Sequence, residues 1–397
     1  MSLSFTPSPN IARLRESATL AVAAKARALK AAGVPVIDLG PGEPDFDTPA
    51  FIREAAAAAM AAGHTHYTNT EGILPLREAI AADATREQRQ GTAVSPAEVV
   101  VSNGSKQALY NACVCCFGPG DEVLIPTPAW TSYFEMVELA RATAVPVLGD
   151  PAHSLKVTAA QLAAAATPRT RGLMLNSPSN PTGAVYSADE LGAILSLAAE
   201  RGWWVIADEI YQRITYEGPA PSALAVAPTR DNLIVINGVA KAYAMTGWRI
   251  GWSIAPVAVS KAMTSFQGHA TSNPCSVSQY ATLAALTRRE EADAEVRRMV
   301  AAFHQRRDAV LRVLANVPSI RYVHPAGAFY LYINVEGFRG AEDPGAAFTA
   351  AVLEEAQVCV VPGGGFGTPG WIRASYATAE SVAVEGMTRI ARVLTAS

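Results

Sequence analysis

The chain has 397 residues, 50% of them hydrophobic, enough to build one large core and a smaller second one, so two domains are expected. Lys and Arg number 32 against 35 Asp and Glu, a formal charge of -3 with no long block of one sign, which argues against a nucleic-acid or anionic-membrane surface and for small-molecule partners. The first ten residues carry no basic run ahead of an apolar core, and the Ala-rich run 55–62 is far short of the roughly 20 residues a bilayer needs, so a cytoplasmic protein is expected.

In chain order, the spacing predicts a helix over 17–32, ended by Gly33 and packed on the second domain. Between about 98 and 255, seven short apolar or β-branched runs recur: EVVVSNG, EVLIPTP, TAVPVLG, GLMLNSP, WVIADEI, NLIVING and RIGWSIA. Each reads as a buried strand. Helical patterns separate several of them, most clearly over 187–201. There Ser187 and Glu190 form a capping box, Leu191, Ile194, Leu195 and Ala198 share one face, and Gly202 ends the helix. This alternation predicts a large α/β/α domain over 48–288 with a mostly parallel seven-stranded sheet and a ligand crevice at the carboxyl ends of the strands.

Beyond it the pattern changes to a long amphipathic helix (about 290–316), a strand with Phe329, Tyr330 and Leu331, a helix over 344–356, two short strands and a closing helix. With residues 1–47, the stretch 289–397 is expected to form a smaller α+β domain. Five cysteines are present, and Cys113, Cys115 and Cys116 lie too close together for a disulfide framework. Their C-x-C-C spacing fits no common zinc pattern, so they read as reduced thiols packed on a helix, and no metal is expected.

The segment NGVAKAYAMTGWRIG (237–251) places Lys241 just after a strand and Arg249 eight residues later. Taken alone, both are ordinary solvated charges. At a strand end beside a cation, however, the ammonium form of a lysine is disfavoured, and the free amine attacks aldehydes. Asp208 ends the apolar run VIAD, either as a structural ion pair or helix cap, or as the acid that keeps a pyridine nitrogen protonated. NSPSNPTG (176–183) reads as a polar turn that leaves the Asn180 amide free to point inward. SNGSKQAL, from Ser102, sets Gly104 at a strand–helix junction, which is a helix cap or, paired with Arg249, an anion cradle. Gly365, Gly367 and Gly370 match G-x-G-x-x-G, but the apolar run after Pro369 predicts a strand where a dinucleotide site needs a helix.

Together with GEPDFDTP (42–49), YTNTEGIL from Tyr67, PAWTSY (128–133) and IRASYA (372–377), these segments resemble the class I aminotransferases of pyridoxal-phosphate fold type I. The likeness runs from about Ser17 to the C-terminal end and is greatest to the bacterial aspartate aminotransferases, a subgroup that also includes prephenate aminotransferases. It implies pyridoxal 5'-phosphate joined to Lys241, with Asp208 on the ring nitrogen, Asn180 and Tyr211 on the ring hydroxyl, and Trp130 stacked on the ring. Gly104, Ser105 and Arg249 would hold the phosphate, with Lys106 among the cofactor contacts and Tyr67 reaching the cofactor of the other subunit of a homodimer. Lys241, Asp208 and Tyr211 would be the catalytic groups. Arg373, with the Gly42 backbone and Asn180, would bind the substrate α-carboxylate, Trp130 would also contact the substrate, and Lys106 and Thr19 would serve an acidic side chain.

The implied activity is ping-pong transamination between aspartate or glutamate and a 2-oxo acid such as 2-oxoglutarate. A prephenate or aromatic/neutral amino-acid aminotransferase, or a carbon–sulfur lyase, would use the same cofactor site. Ala240 and Ala129 depart from the serine and tyrosine common at those positions without removing a reactive group. A regulator with a fused DNA-binding domain would need more residues ahead of Gly42 and a basic patch, and an inactive binding protein would have lost one of Lys241, Asp208, Arg249 or Arg373.

Overall fold

The computed structural model describes residues 5–12, 14, 18–87 and 93–396, the side chains at 10, 18–23 and 87 excepted. After β1 (Ile37–Asp38) come β2 (Val99–Ser102), β3 (Glu122–Thr127), β4 (Thr143–Leu148), β5 (Thr170–Asn176), β6 (Trp204–Asp208), β7 (Leu233–Gly238) and β8 (Gly251–Ile254). Then follow β9 (Tyr322–Val323), β10 (Tyr330–Asn334), β11 (Val358–Cys359), β12 (Val361–Pro362) and β13 (Trp371–Ser375).

All seven apolar runs enter one seven-stranded sheet in the order β2-β8-β7-β6-β5-β3-β4. Only β8 runs antiparallel to its neighbours β2 and β7. Side chains alternate across each strand and find a core on both faces: Leu173, Val205 and Val235 join one cluster, while Met174, Ile206 and Ile234 join the other. Helices Leu74–Glu87, Ala188–Arg201 and Ser276–Thr287 cover the first face. Helices Ser105–Cys116 and Thr131–Leu139 cover the second. Double coverage explains why these strands read as continuous apolar runs and not as alternating ones. The expectation of burial fails at β4, whose residues are mostly exposed or half-buried, because it is the sheet edge and pairs with β3 alone.

The helix over 187–201 forms as predicted, with Ser187 and Glu190 in a capping box and Gly202 left-handed at its end. Beyond the sheet, the long helix Arg289–Ala315 serves two cores at helical spacing. Its Ala292 and Val296 pack on the sheet cluster, and Met299, Phe303, Val310 and Leu314 on a separate cluster around β10 and the helices Pro344–Ala356 and Glu380–Thr395. The second region holds a four-stranded sheet, β12-β13-β10-β9, and the parallel pair β1–β11. Three short strands, not the expected two, follow the helix Pro344–Ala356, and β9 adds a fourth piece that two residues of pattern could not reveal. The helix Ala18–Ala31 rests against β11 and β12, as expected. Cys113 is buried and Cys115 and Cys116 are half-buried against the second face of the large sheet.

The sheet and the functional crevice meet at Gly251, the first residue of β8. A Cβ there would lie 2.2 Å from the Ser105 nitrogen and 2.7 Å from the Gly104 carbonyl carbon, both backbone atoms. Gly251→Ala is therefore expected to force the turn 104–105 away from the sheet and to lower stability by about 1–3 kcal/mol in urea unfolding.

Candidate active site

The residues singled out by sequence converge at the carboxyl edge of the parallel strands. Asp208 is the last residue of β6, Lys241 lies just past β7, Asn180 past β5, Trp130 past β3 and Ser105 past β2. Arg249 lies two residues before β8, and because β8 is antiparallel, its start lies at the same edge.

Asp208 is 4% exposed. Its Oδ2 accepts a hydrogen bond from the Tyr133 hydroxyl (2.7 Å), and its Oδ1 accepts one from the Ile210 N–H (3.1 Å). Burial raises its pKa to about 6, with the Tyr133 and Ile210 hydrogen bonds and the Lys241 charge pulling the other way. Lys241 donates from Nζ to the Gly42 carbonyl. Burial lowers its pKa to about 8; Glu43 opposes this, and Arg373 and Arg249 add to it. An amine that sheds its proton this readily is a nucleophile near neutral pH.

Gly104 has φ +83° and caps the helix Ser105–Cys116. A Cβ at Gly104 would sit 2.5 Å from Arg249 Nη2, so the guanidinium lies directly against the exposed start of the helix. Arg249 is itself left-handed (φ +56°) and is held by Nη1 donating to the Thr246 carbonyl (3.0 Å). Ser105 donates from Oγ to the Asn237 carbonyl (2.9 Å). Lys106 lies with Nζ 4.7 Å from the Trp130 ring centroid, its pKa lowered by burial and then by Arg249. Trp130 in turn meets Tyr133 edge-on at 5.5 Å.

Arg373 is 2% exposed. Its Nη1 donates to Asn180 Oδ1 (2.9 Å) and its Nη2 to the Gly40 carbonyl (2.7 Å), while Nε has no partner. The rings of Tyr330 and Phe366 lie 4.4 and 5.3 Å from its guanidinium carbon. No carboxylate pairs with it among the described residues, so a buried cation here is met only by neutral acceptors and ring faces. Its backbone acceptor is the Gly40 oxygen, while the Gly42 oxygen accepts from Lys241. Tyr211, 3% exposed, places its hydroxyl 2.7 Å from that of Tyr330.

Tyr67 is 91% exposed. Thr19 falls on the helix Ala18–Ala31, but its side chain lies outside the described residues. Two further residues reach the site without having been singled out. Tyr133, on Asp208, was signalled only as the end of PAWTSY, and Tyr330, on Tyr211 and Arg373, only as part of a strand. Among the described residues no group of three or more His, Cys, Asp or Glu side chains is arranged to hold a metal ion, and no helix is long and apolar enough to cross a membrane.

Residues 34–390 match the family model for class I and II aminotransferases. An aspartate aminotransferase of Streptomyces avermitilis is 46% identical over 396 residues, covering 98% of this chain and 96% of the relative. An aspartate/prephenate aminotransferase of Cereibacter sphaeroides is 44% identical over 394 residues, covering 96% and 97%. The solved structure of the aspartate aminotransferase of Thermus thermophilus with maleate superposes with a TM-score of 0.93 at 41% identity, covering 98% of this chain and all of that one.

The Lys241 pKa carries a stability consequence. Its folded value of about 8 lies below the ordinary 10.5, so the unfolded chain binds the proton more tightly; the burial penalty is present in full below about pH 8 and lifts as pH rises toward 10.5. In the protein free of small molecules, Lys241→Met should stabilise the fold near pH 7 by on the order of 2–3 kcal/mol, a gain that shrinks as pH is raised through 8 to 10 in urea titrations.

Proposed function

The chain belongs to the class I and II aminotransferases, and from that premise we propose that it transfers the amino group of aspartate or glutamate to a 2-oxo acid such as 2-oxoglutarate, with pyridoxal phosphate held at Lys241. The observation that carries this reading is the buried Arg373 guanidinium without a carboxylate partner, in the same crevice as a lysine whose pKa is lowered to about 8. A planar guanidinium takes a carboxylate through two parallel N–H donors and so fixes the orientation of the substrate Cα–H bond.

The residues fit the cofactor. Gly104 lets the Arg249 guanidinium lie against the start of a helix, where a Cβ would come within 2.5 Å of Nη2, and a cation beside free helix N–H groups suits a phosphate. Gly104, Ser105 and Arg249 would hold it there, with Lys106 beside the Trp130 ring. Asp208, whose pKa burial raises to about 6, would be held in its charged form beside a protonated pyridine nitrogen. Asn180 and Tyr211 would bond the ring hydroxyl, and Trp130 would lie on the ring face. When bound, pyridoxal phosphate supplies an electron-withdrawing ring that stabilises negative charge on the adjacent carbon. Lys241 Nζ would hold the cofactor and, once the substrate amino group takes its place there, the freed amine would carry the proton between the substrate Cα and the cofactor. Asn180, Gly42 and Trp130 would complete the carboxylate site around Arg373.

Lys106, with Nζ 4.7 Å from the Trp130 ring centroid, adds a cation to the crevice, which favours a second carboxylate; Thr19 would be its partner. Prephenate also carries a second carboxylate, so it is the alternative substrate, and the shared naming of some relatives supports it. The 91% exposed Tyr67, with Met60 and Leu74 also exposed, suits a surface covered by a second copy, so we propose a homodimer in which Tyr67 reaches the neighbouring cofactor. Five cysteines without a disulfide fit a reducing, cytoplasmic setting.

The test is a half-reaction screen of the cofactor-loaded enzyme against the common amino acids and arogenate, the amino partner of prephenate. Aspartate and glutamate should release their 2-oxo acids. Lys241→Ala should release none, and turnover in that variant would contradict the assignment. Lys106→Met should raise KM for aspartate by roughly 10- to 100-fold, the range of a lost charge-assisted hydrogen bond, and leave KM for alanine nearly unchanged. Equal effects on both substrates would remove Lys106 from substrate selection.

A further inference from the structure

Tyr330 begins β10 and is fully buried. The pairings Tyr330↔Ser375 and Tyr332↔Arg373 put Tyr330 and Arg373 on one face of an antiparallel ladder as diagonal neighbours. The Arg373 guanidinium carbon accordingly lies 4.4 Å from the Tyr330 ring centroid. At the other end of the ring, the Tyr330 hydroxyl is 2.7 Å from the Tyr211 hydroxyl, and a Cβ at Gly42 would come within 2.8 Å of the same oxygen. One side chain from the second core thus touches three groups of the crevice that come from three separate parts of the chain.

We propose that Tyr330 is a positioning residue with two separable parts: its hydroxyl donates to Tyr211 and orients that phenol toward the cofactor, and its ring supports Arg373 for the substrate carboxylate. The assignment rests on the reading of Lys241 as the pyridoxal-phosphate lysine. A phenol has one proton and accepts through its lone pairs. If the Tyr211 proton is directed at the ring oxygen of the cofactor, the bond between the two tyrosines must run the other way, with Tyr330 Oη–H donating to Tyr211 Oη. Both phenols are held above their ordinary pKa chiefly by burial, so both keep their protons and the chain of donors stays intact. Donation into Tyr211 polarises its own O–H and strengthens the next bond. The ring acts apart from the hydroxyl. Arg373 Nη1 and Nη2 are tied to Asn180 and Gly40, and the Tyr330 face closes the guanidinium from the side.

The two parts separate in two variants of the cofactor-loaded enzyme, read by the pH titration of the cofactor absorbance and by steady-state kinetics. Hydrogen-bond donation to the ring oxygen favours the deprotonated chromophore, so Tyr330→Phe should move the titration midpoint upward by several tenths of a pH unit and lower kcat, with KM for aspartate within about twofold of wild type. Tyr330→Leu, which also removes the ring, should in addition raise KM about tenfold. In a Tyr211→Phe background, Tyr330→Phe should produce no further shift of the midpoint, because the two act through one hydrogen bond. A Tyr330→Phe enzyme that titrates like wild type, or a shift that persists without the Tyr211 hydroxyl, overturns the assignment. A wild-type protein that develops no titrating cofactor band overturns the reading beneath it, which is a different result.

Discussion

The crevice is organised by cations that the chain itself does not neutralise. Lys106, Lys241, Arg249 and Arg373 converge on it, while the carboxylates at hand are the buried Asp208 and the exposed Glu43. Charge taken from water without a partner destabilises a fold, and here the cost is visible in the lowered pKa values of both lysines. In the proposed function three of the four meet an anion that arrives with the reaction, a phosphate at Arg249, an α-carboxylate at Arg373 and a second carboxylate at Lys106, while Lys241 holds the cofactor covalently. A chain of net charge -3 thereby presents a locally positive cavity to negatively charged small molecules.

That arrangement depends on rigid support from both cores. The sheet carries Asp208, Lys241 and the 104–105 turn at its carboxyl edge, and β13 of the second region carries Arg373. The helix Arg289–Ala315 packs its first turns on one core and its remaining turns on the other, and so sets the position of Arg373 relative to Lys241. Contacts cross the same boundary: the Arg213 side chain pairs with Asp293, and the Thr215 backbone bridges to that of Gly327. Tyr330 belongs to this class, a core residue of the second region whose hydroxyl ends on a residue of the first.

Much of the fold was legible because burial on both faces leaves a strong trace. The seven apolar runs became the seven strands, and the capping box at Ser187 with Gly202 marked a helix to the residue. The failures have local causes. β4 keeps an apolar composition although it lies at an edge, and β9 spans only two residues, too few for any period. Lys241, Asp208, Asn180, Arg249 and Arg373 were recognisable through their motifs. Tyr330 was not, because a tyrosine in an apolar strand looks the same whether it fills a core or bridges two parts of a site.

By itself, the sequence determined the local facts: which segments are strands, that Asp208 ends one of them and Lys241 follows another, and that glycine stands at 104. These depend on hydrophobic period, turn chemistry and backbone freedom, all of which act over a few residues. Only the tertiary structure decided that β8 runs antiparallel and so delivers Arg249 to the same edge, that Arg373 is buried without a carboxylate, and that Tyr330 joins Tyr211 to Arg373. Direction within a sheet, desolvation and contacts across 119 residues of chain are set by the whole packing, and no short stretch of residues encodes them.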